Sequence, residues 1–254
     1  KVGVYAMLRV YTVIFGDNAG ELAHMAQPWL WGLALATIVM GAIGVLASQD
    51  FRKLVANLVI VSVGTLVALV ALQNVAATAA LLYYLVHSTI VCAVLFLLAD
   101  LVALQRGKVA DRLVAGRAVA QPFLLGISFV IAALTVVGMP PLSGFVGKIW
   151  ILKSTLDSEK AMLFWPIYLL ASLAVLVAIS RAGTSLFWDH KHKDSDAIKG
   201  VNAHPLKVIA LMTLLICSPL MVIFAGPVSE FMLATSEQLF DINSGINDVL
   251  HGGQ

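Results

Sequence analysis

Gly138-Met139-Pro140-Pro141-Leu142-Ser143-Gly144-Phe145-Val146-Gly147-Lys148 sits in the middle of an apolar window that runs from Pro122 to Leu156. A membrane span takes about 20 mostly apolar residues, so this window is too long for one straight helix. At its centre two prolines cannot donate backbone hydrogen bonds, and glycines on both sides loosen the chain. The stretch therefore predicts a membrane helix broken in mid-segment at Pro140, Pro141 and Gly144, with a lysine just past the break.

Outward from the break, six further apolar windows separate at charged or turn-rich stretches: Val2 to Phe15, Pro28 to Ala47, Leu54 to Gln73, Ala76 to Leu104, Leu163 to Phe187 and Pro205 to Ala225. The 254 residues are 60% hydrophobic and 12% charged, with a mean hydropathy of +0.95. A soluble domain carries about 25% charged residues, so too few polar groups are present to cover a globule in water. The fold class is an all-α polytopic membrane protein with about seven transmembrane segments. The first window is short for a span, and the chain opens on Lys1 without a Met or a cleavable leader, so its upstream part is expected to be missing. On spacing alone, Lys1 reads as an interfacial anchor.

The loops predict orientation, because basic loops stay in the cytoplasm. Eleven basic residues, among them Arg52, Lys53, Arg106, Arg112, Arg181 and Lys207, fall on one side and only Lys153 and Lys160 on the other. The broken helix then enters from the cytoplasm, and the carboxyl tail is external, or periplasmic, at an inner (cell) membrane. The expected division is a transmembrane helical domain over residues 1–227 and an external amphipathic or disordered tail over residues 228–254. In that tail Phe231, Met232, Leu239 and Ile242 alternate with Glu230, Glu237 and Asp241. Docking on protein and lying on the membrane surface are equally open to it.

An ionisable side chain inside a span costs about 3 kcal/mol or more and is by default a functional residue. Lys148 is one such residue, beside a break that frees backbone groups at membrane depth; the alternative is a lysine that snorkels outward and only anchors. His87 is a second, near the centre of its window, with Tyr83 one turn earlier and Ser88-Thr89 adjacent. It either passes a proton at working pH or is a neutral histidine bonded to a neighbouring helix. Asp100 lies ~20 Å further along that helix, as the polar lining of an inner access path or as an interfacial charge. His190 and His192 with Asp189, Asp194 and Asp196 read as a solvated loop and not as a metal site. Cys92 and Cys217 read as packing residues. Neither Walker nor dinucleotide fingerprints nor paired cysteines occur, and the net charge of +2 gives no signal for nucleic acid. No cofactor and no metal are expected.

Three stretches together resemble a known family: Lys1 to Arg9, the run Leu82-Tyr83-Tyr84-Leu85-Val86-His87-Ser88-Thr89 through Asp100, and Gly138 to Lys148. They are similar to the proton-conducting membrane subunits shared by respiratory complex I and the multisubunit Mrp-type (Pha-type) cation/proton antiporters. The details from Ser48 to Leu54 and Val61 to Gly64, with the run His87-Ser88-Thr89, look closest to the D-type subunits of the antiporter, in its potassium/proton branch. The resemblance implies a fourteen-helix subunit of two inverted repeats, of which this chain looks like the carboxyl half. It further implies a hydrated proton path through Lys1, His87 and Lys148, which places Lys1 at membrane depth, with Tyr83, Ser88, Thr89, Asp100 and Ser143 as possible lining. Asn57 stands where the family usually has tyrosine. On this resemblance the chain is expected to be a proton-conducting subunit of a K+ or Na+/H+ antiporter and not itself an enzyme. Its expected partners are the other antiporter subunits, protons, a monovalent cation and the bilayer. The alternative is a proton-pumping subunit of a complex I-type NADH:quinone oxidoreductase.

Overall fold

The computed structural model of the chain describes residues 1–188 and 203–241. His190, His192 and the neighbouring aspartates, and the tail beyond Asp241, lie outside the described residues. Nine α-helices occur among the described residues: α1 (Val2–Val13), α2 (Gln27–Ala47), α3 (Phe51–Val70), α4 (Val75–Arg106), α5 (Pro122–Val137), α6 (Ser143–Thr155), α7 (Ala161–Gly183), α8 (Pro205–Ile223) and α9 (Ala225–Phe240). In lipid each backbone polar group must be satisfied within the protein, and the uninterrupted apolar windows meet that requirement as helices. Of these, α2, α3, α4, α7 and α8 are long and apolar enough to cross a membrane, while α1 and α5 are shorter apolar helices.

Local chemistry sets the ends. Pro28, Pro122 and Pro205 occupy the first turns of α2, α5 and α8, where a missing N–H costs nothing. The Asn74 side chain accepts from the backbone nitrogen of Ala77 at 2.7 Å and caps α4. Basic Arg52 and Lys53, expected in a loop, lie instead in the first turn of α3.

The long central window is broken where the prolines stand. α5 ends at Gly138, which adopts a left-handed φ of +84°, a conformation that suits glycine at a helix C-terminus. The chain then turns through Met139 to Leu142, and α6 begins at Ser143. Gly144 lets the two half-helices meet: a Cβ there would lie 1.9 Å from the carbonyl oxygen of Thr135.

α4 is the hub. Its 32 residues rise about 48 Å, and it packs against α3, α5, α6, α8 and α9. Fully buried Ala77, Ala79 and Ala80 keep its first turns slim enough for close helix contact. α2 and α3 form the tightest pair, with Gly64 set against the backbone nitrogen of Ile38.

Two layers of polar contacts close the bundle at its ends. At the basic face, the Phe51 amide donates to the Asp111 carbonyl at 2.8 Å, the Arg52 amide to the Asp111 carboxylate at 2.9 Å, and Arg181 to the Ser48 carbonyl at 2.9 Å. Arg106, only 2% exposed, folds the following loop around its guanidinium, donating to the carbonyl oxygens of Arg112 at 2.7 Å and Val114 at 2.6 Å, and at longer range to Ala110 and Arg117. At the opposite face, Gln73 donates to the Tyr11 carbonyl at 3.2 Å, and Ser236 of α9 to the Val75 carbonyl at 2.8 Å. Lys160 there lies 5.3 Å from the Trp31 ring centroid, and partial burial lowers its pKa from the ordinary lysine value.

Candidate functional site

The helix break exposes the last carbonyls of α5, which have no partner within their own helix. Lys148, on the second turn of α6, reaches back across the break: its Nζ donates to the Val137 carbonyl at 2.8 Å and to Ser172 Oγ on α7 at 3.2 Å. An ammonium group is favourable at the C-terminal end of a helix dipole, so the same break that frees the carbonyl also seats the charge. Gly138 makes room for the stem, since a Cβ there would lie 2.8 Å from Lys148 Cδ.

Across from Lys148, α4 contributes His87, which is 3% exposed. Its Nδ1 is 2.8 Å from Ser143 Oγ at the start of α6, and its ring stands 5.6 Å from that of Tyr84. On the next residue of α4, Ser88 Oγ accepts from Lys1 Nζ at 2.7 Å. Lys1 therefore reaches inward to the central helix and not outward to an interface, unlike the anchor that spacing alone suggests.

One cavity of about 40 Å³ joins these groups, lined by His87, Ser88 and Cys92 of α4, Ser62 of α3, Lys148 of α6 and Ser172 of α7. That is room for about three or four water molecules, at about 10 to 15 Å³ each. Three groups able to carry a proton thus border or adjoin a single space at the middle of the bundle, whose other walls include Leu58, Val61, Val136 and Val175. Charge on any one of them is felt by the others through a medium of low dielectric constant.

The remaining residues singled out in the sequence are placed differently. Ser143 bonds His87. Thr89 donates to the Leu85 carbonyl of its own helix at 2.6 Å on an exposed face, away from the cavity. Tyr83 is fully buried against Trp150, at 5.7 Å between ring centroids, and its hydroxyl has no partner among the described residues. It packs α4 on α6 and does not line the cavity. Asp100 lies near the basic face, its carboxylate shared between Arg52 of α3 at 3.1 Å and Lys207 of α8 at 2.7 Å, with all three side chains about half exposed. Asn57 donates to Ser48 Oγ and the Lys53 carbonyl and packs into the α2–α3 contact. Among the polar residues near the centre that the sequence did not single out are Ser62, Ser172 and Ser218. Serine in a membrane helix commonly bonds its own preceding turn, so its type and spacing alone carry no signal. Cys92 and Cys217 are free thiols, and no group of three or more metal-binding side chains occurs among the described residues.

A broken helix, a lysine bonded across it and a buried histidine on the adjoining central helix stand around one space for water inside a bundle of membrane-length helices. Residues 1–180 match the family described as NADH:quinone oxidoreductase/Mrp antiporter, TM, and the chain belongs to that family. It is 32% identical over 94% of its length to a D-type subunit of a probable K(+)/H(+) antiporter of Rhizobium meliloti, covering 49% of that protein. To the D-type subunit of the Na(+)/H(+) antiporter of Bacillus subtilis it is 33% identical over 85% of its length, covering 43%. The chain thus spans about half the length of the curated relatives it matches. Its fold is that of a chain in the Mrp complex of Dietzia sp., with a TM-score of 0.79 at 21% identity, covering 98% of this chain and 53% of that one. A chain of respiratory complex I from Thermus thermophilus superposes with a TM-score of 0.77 at 23% identity, covering 95% of this chain and 49% of that one. The chain is therefore a multi-pass membrane protein of the antiporter-like class.

Proposed function

We propose that this chain conducts protons within a multisubunit K+ or Na+/H+ antiporter in the cell membrane, along a path through Lys1, His87 and Lys148 and the water between them. The observation that carries this reading is the shared central cavity: Lys148 and His87 border it from opposite helices, and Lys1 joins it through Ser88. A proton arriving at Lys1 or His87 passes through the cavity to Lys148 and leaves on the far side of the Pro140-Pro141 break; in an antiporter the direction reverses with the driving gradient. The basic face lies in the cytoplasm and the carboxyl tail outside. Residues 1–227 form the transmembrane domain and residues 228–254 the external tail. The partners are the other antiporter subunits, and the role of this one is transport without catalysis.

The test uses everted vesicles from antiporter-deficient cells that express the gene carrying this sequence together with its neighbouring subunits. Addition of potassium or sodium is expected to collapse a preformed pH gradient, and Lys148→Ala is expected to lower the initial rate at least tenfold while the complex still assembles. Undiminished exchange in that variant would remove Lys148 from the path. The likeness to complex I favours a second reading, in which the same groups serve an NADH-driven pump. Acidification on NADH with no response to either cation would establish it.

A further inference from the structure

His87 is tied to a third helix that the path does not include. Ser143 Oγ, which bonds His87 Nδ1, is also 2.8 Å from Ser218 Oγ on α8, and the Ser143 backbone nitrogen donates to Ser218 Oγ at 3.4 Å. All three side chains are buried, at 3%, 1% and 4% exposure. Beyond Ser218 lies a second, smaller cavity of about 10 Å³ between α4, α5 and α8, lined by Val91, Val94, Thr135 and Ser218 among others. It is at the lower limit for one water molecule. On the α5 stripe that carries Thr135, seven residues nearer the basic face, Ser128 is fully buried and its hydroxyl has no partner among the described residues. Thr135 donates to the Ile131 carbonyl of its own helix at 2.7 Å, whereas Ser218 bonds across to α6.

A serine hydroxyl has one proton to give and two lone pairs to receive, which limits how these three side chains can bond. With His87 neutral and protonated on Nε2, its Nδ1 accepts, so Ser143 donates to His87 and Ser218 donates to Ser143. When Nδ1 takes a proton it becomes a donor. Ser143 must then accept from His87 and turn its own proton to Ser218, which releases its proton towards the small cavity or a carbonyl of α8. Both orientations keep the contacts from His87 through Ser143 to Ser218, and they differ in the direction of two hydroxyls.

We propose that Ser143 and Ser218 form a reversible hydroxyl relay that keeps His87 positioned in both of its protonation states, making Ser218 of α8 a positioning residue for the central histidine. This rests on the reading that His87 carries protons. Of the other titratable groups facing His87, Lys1 stands at the start of α1, Lys148 comes from α6, and Tyr84 and Cys92 from α4 itself; α3 and α7 bring no charged group to the cavity, their polar lining being Ser62 and Ser172, and α8 meets the histidine through Ser218 and Ser143. Without Ser218, Ser143 has nowhere to turn its proton when His87 becomes a donor, and the charged histidine loses support that the neutral one keeps.

The experiment is a pH profile of cation/proton exchange in everted vesicles carrying the assembled complex. Ser218→Ala is expected to slow exchange severalfold and to move the profile to lower pH, and Ser218→Thr, which restores a hydroxyl, to return both towards the parent. Should Ser218→Ala fail to assemble, Ser143→Ala cuts the same chain one link earlier and must give the same displacement. The two changes together should be no worse than the more severe alone, since one chain is broken once. An unmoved profile in Ser218→Ala, with His87→Ala inactive, would overturn the relay and leave the path standing. Full exchange in His87→Ala would overturn both.

Discussion

At the scale of single residues, the site depends on a contact that only glycine permits. A methyl group at Gly144 would meet the carbonyl oxygen of Thr135 at 1.9 Å and the Gly138 Cα at 3.2 Å, both of them backbone atoms that cannot swing aside. Gly144→Ala must therefore push α6 away from α5. It does so at the junction where Lys148 Nζ meets the Val137 carbonyl, so a stability change and a functional change are expected together. Overpacking of this kind costs about 1 to 3 kcal/mol. The purified complex in detergent should lose several degrees of apparent melting temperature, and exchange should fall with it. Gly226→Ala is the control, because nothing lies within 4 Å of a Cβ at that position. Equal melting in the two variants would mean that the half-helices do not touch as described.

At the scale of elements, the loop after α4 shows how one buried charge can gather several backbone groups. Arg106 donates to four carbonyl oxygens, two of them at 2.7 Å or less, from a position only 2% exposed. The planar five-donor fork of arginine suits this divergent set, and the point charge of lysine does not. Hydrogen bonds from a charged group contribute about 1.5 to 3 kcal/mol each, and a factor of ten in local opening takes about 1.4 kcal/mol. Arg106→Lys is expected to open the loop, so trypsin should cut at Lys108, Arg112 or Arg117 at least ten times faster in everted vesicles. Unchanged cleavage would show that the loop holds itself together without its hub. In the sequence Arg106 is one of eleven basic residues on the same side, and nothing marks it as buried. The carbonyls that receive it return to it only once the loop is folded. The break at Pro140-Pro141 is the opposite case, because proline and glycine act on the backbone locally and their effect can be read without knowing any neighbour.

At the scale of the whole molecule, the same distinction separates the parts of the site. Lys148 and His87 stand out in the sequence because charge or a titratable ring in lipid is costly wherever it points. Tyr83 and Thr89 have suitable chemistry but face Trp150 and the exterior, and Ser172 and Ser218 have ordinary chemistry but face the centre. Which way a helix turns its polar residues is a property of the bundle, not of the window. The proposed orientation rests on the charge distribution, and it sets the sides of the proposed path. With eleven basic residues against two, the proposed orientation puts the loop after α4 in the cytoplasm and the turn between α6 and α7 outside. Exposed Lys108 and Glu159 report on these two faces. In a background with Cys92 and Cys217 replaced by serine, Glu159→Cys in intact cells should react with a membrane-impermeant maleimide. Lys108→Cys should react only after permeabilisation. The reverse pattern would invert the path: the Asp100 cluster, which lies with Arg52 and Lys207 at the basic face, would then open to the outside. Protons would reach Lys148 from the cytoplasm across the Pro140-Pro141 break, and His87 would become the exit.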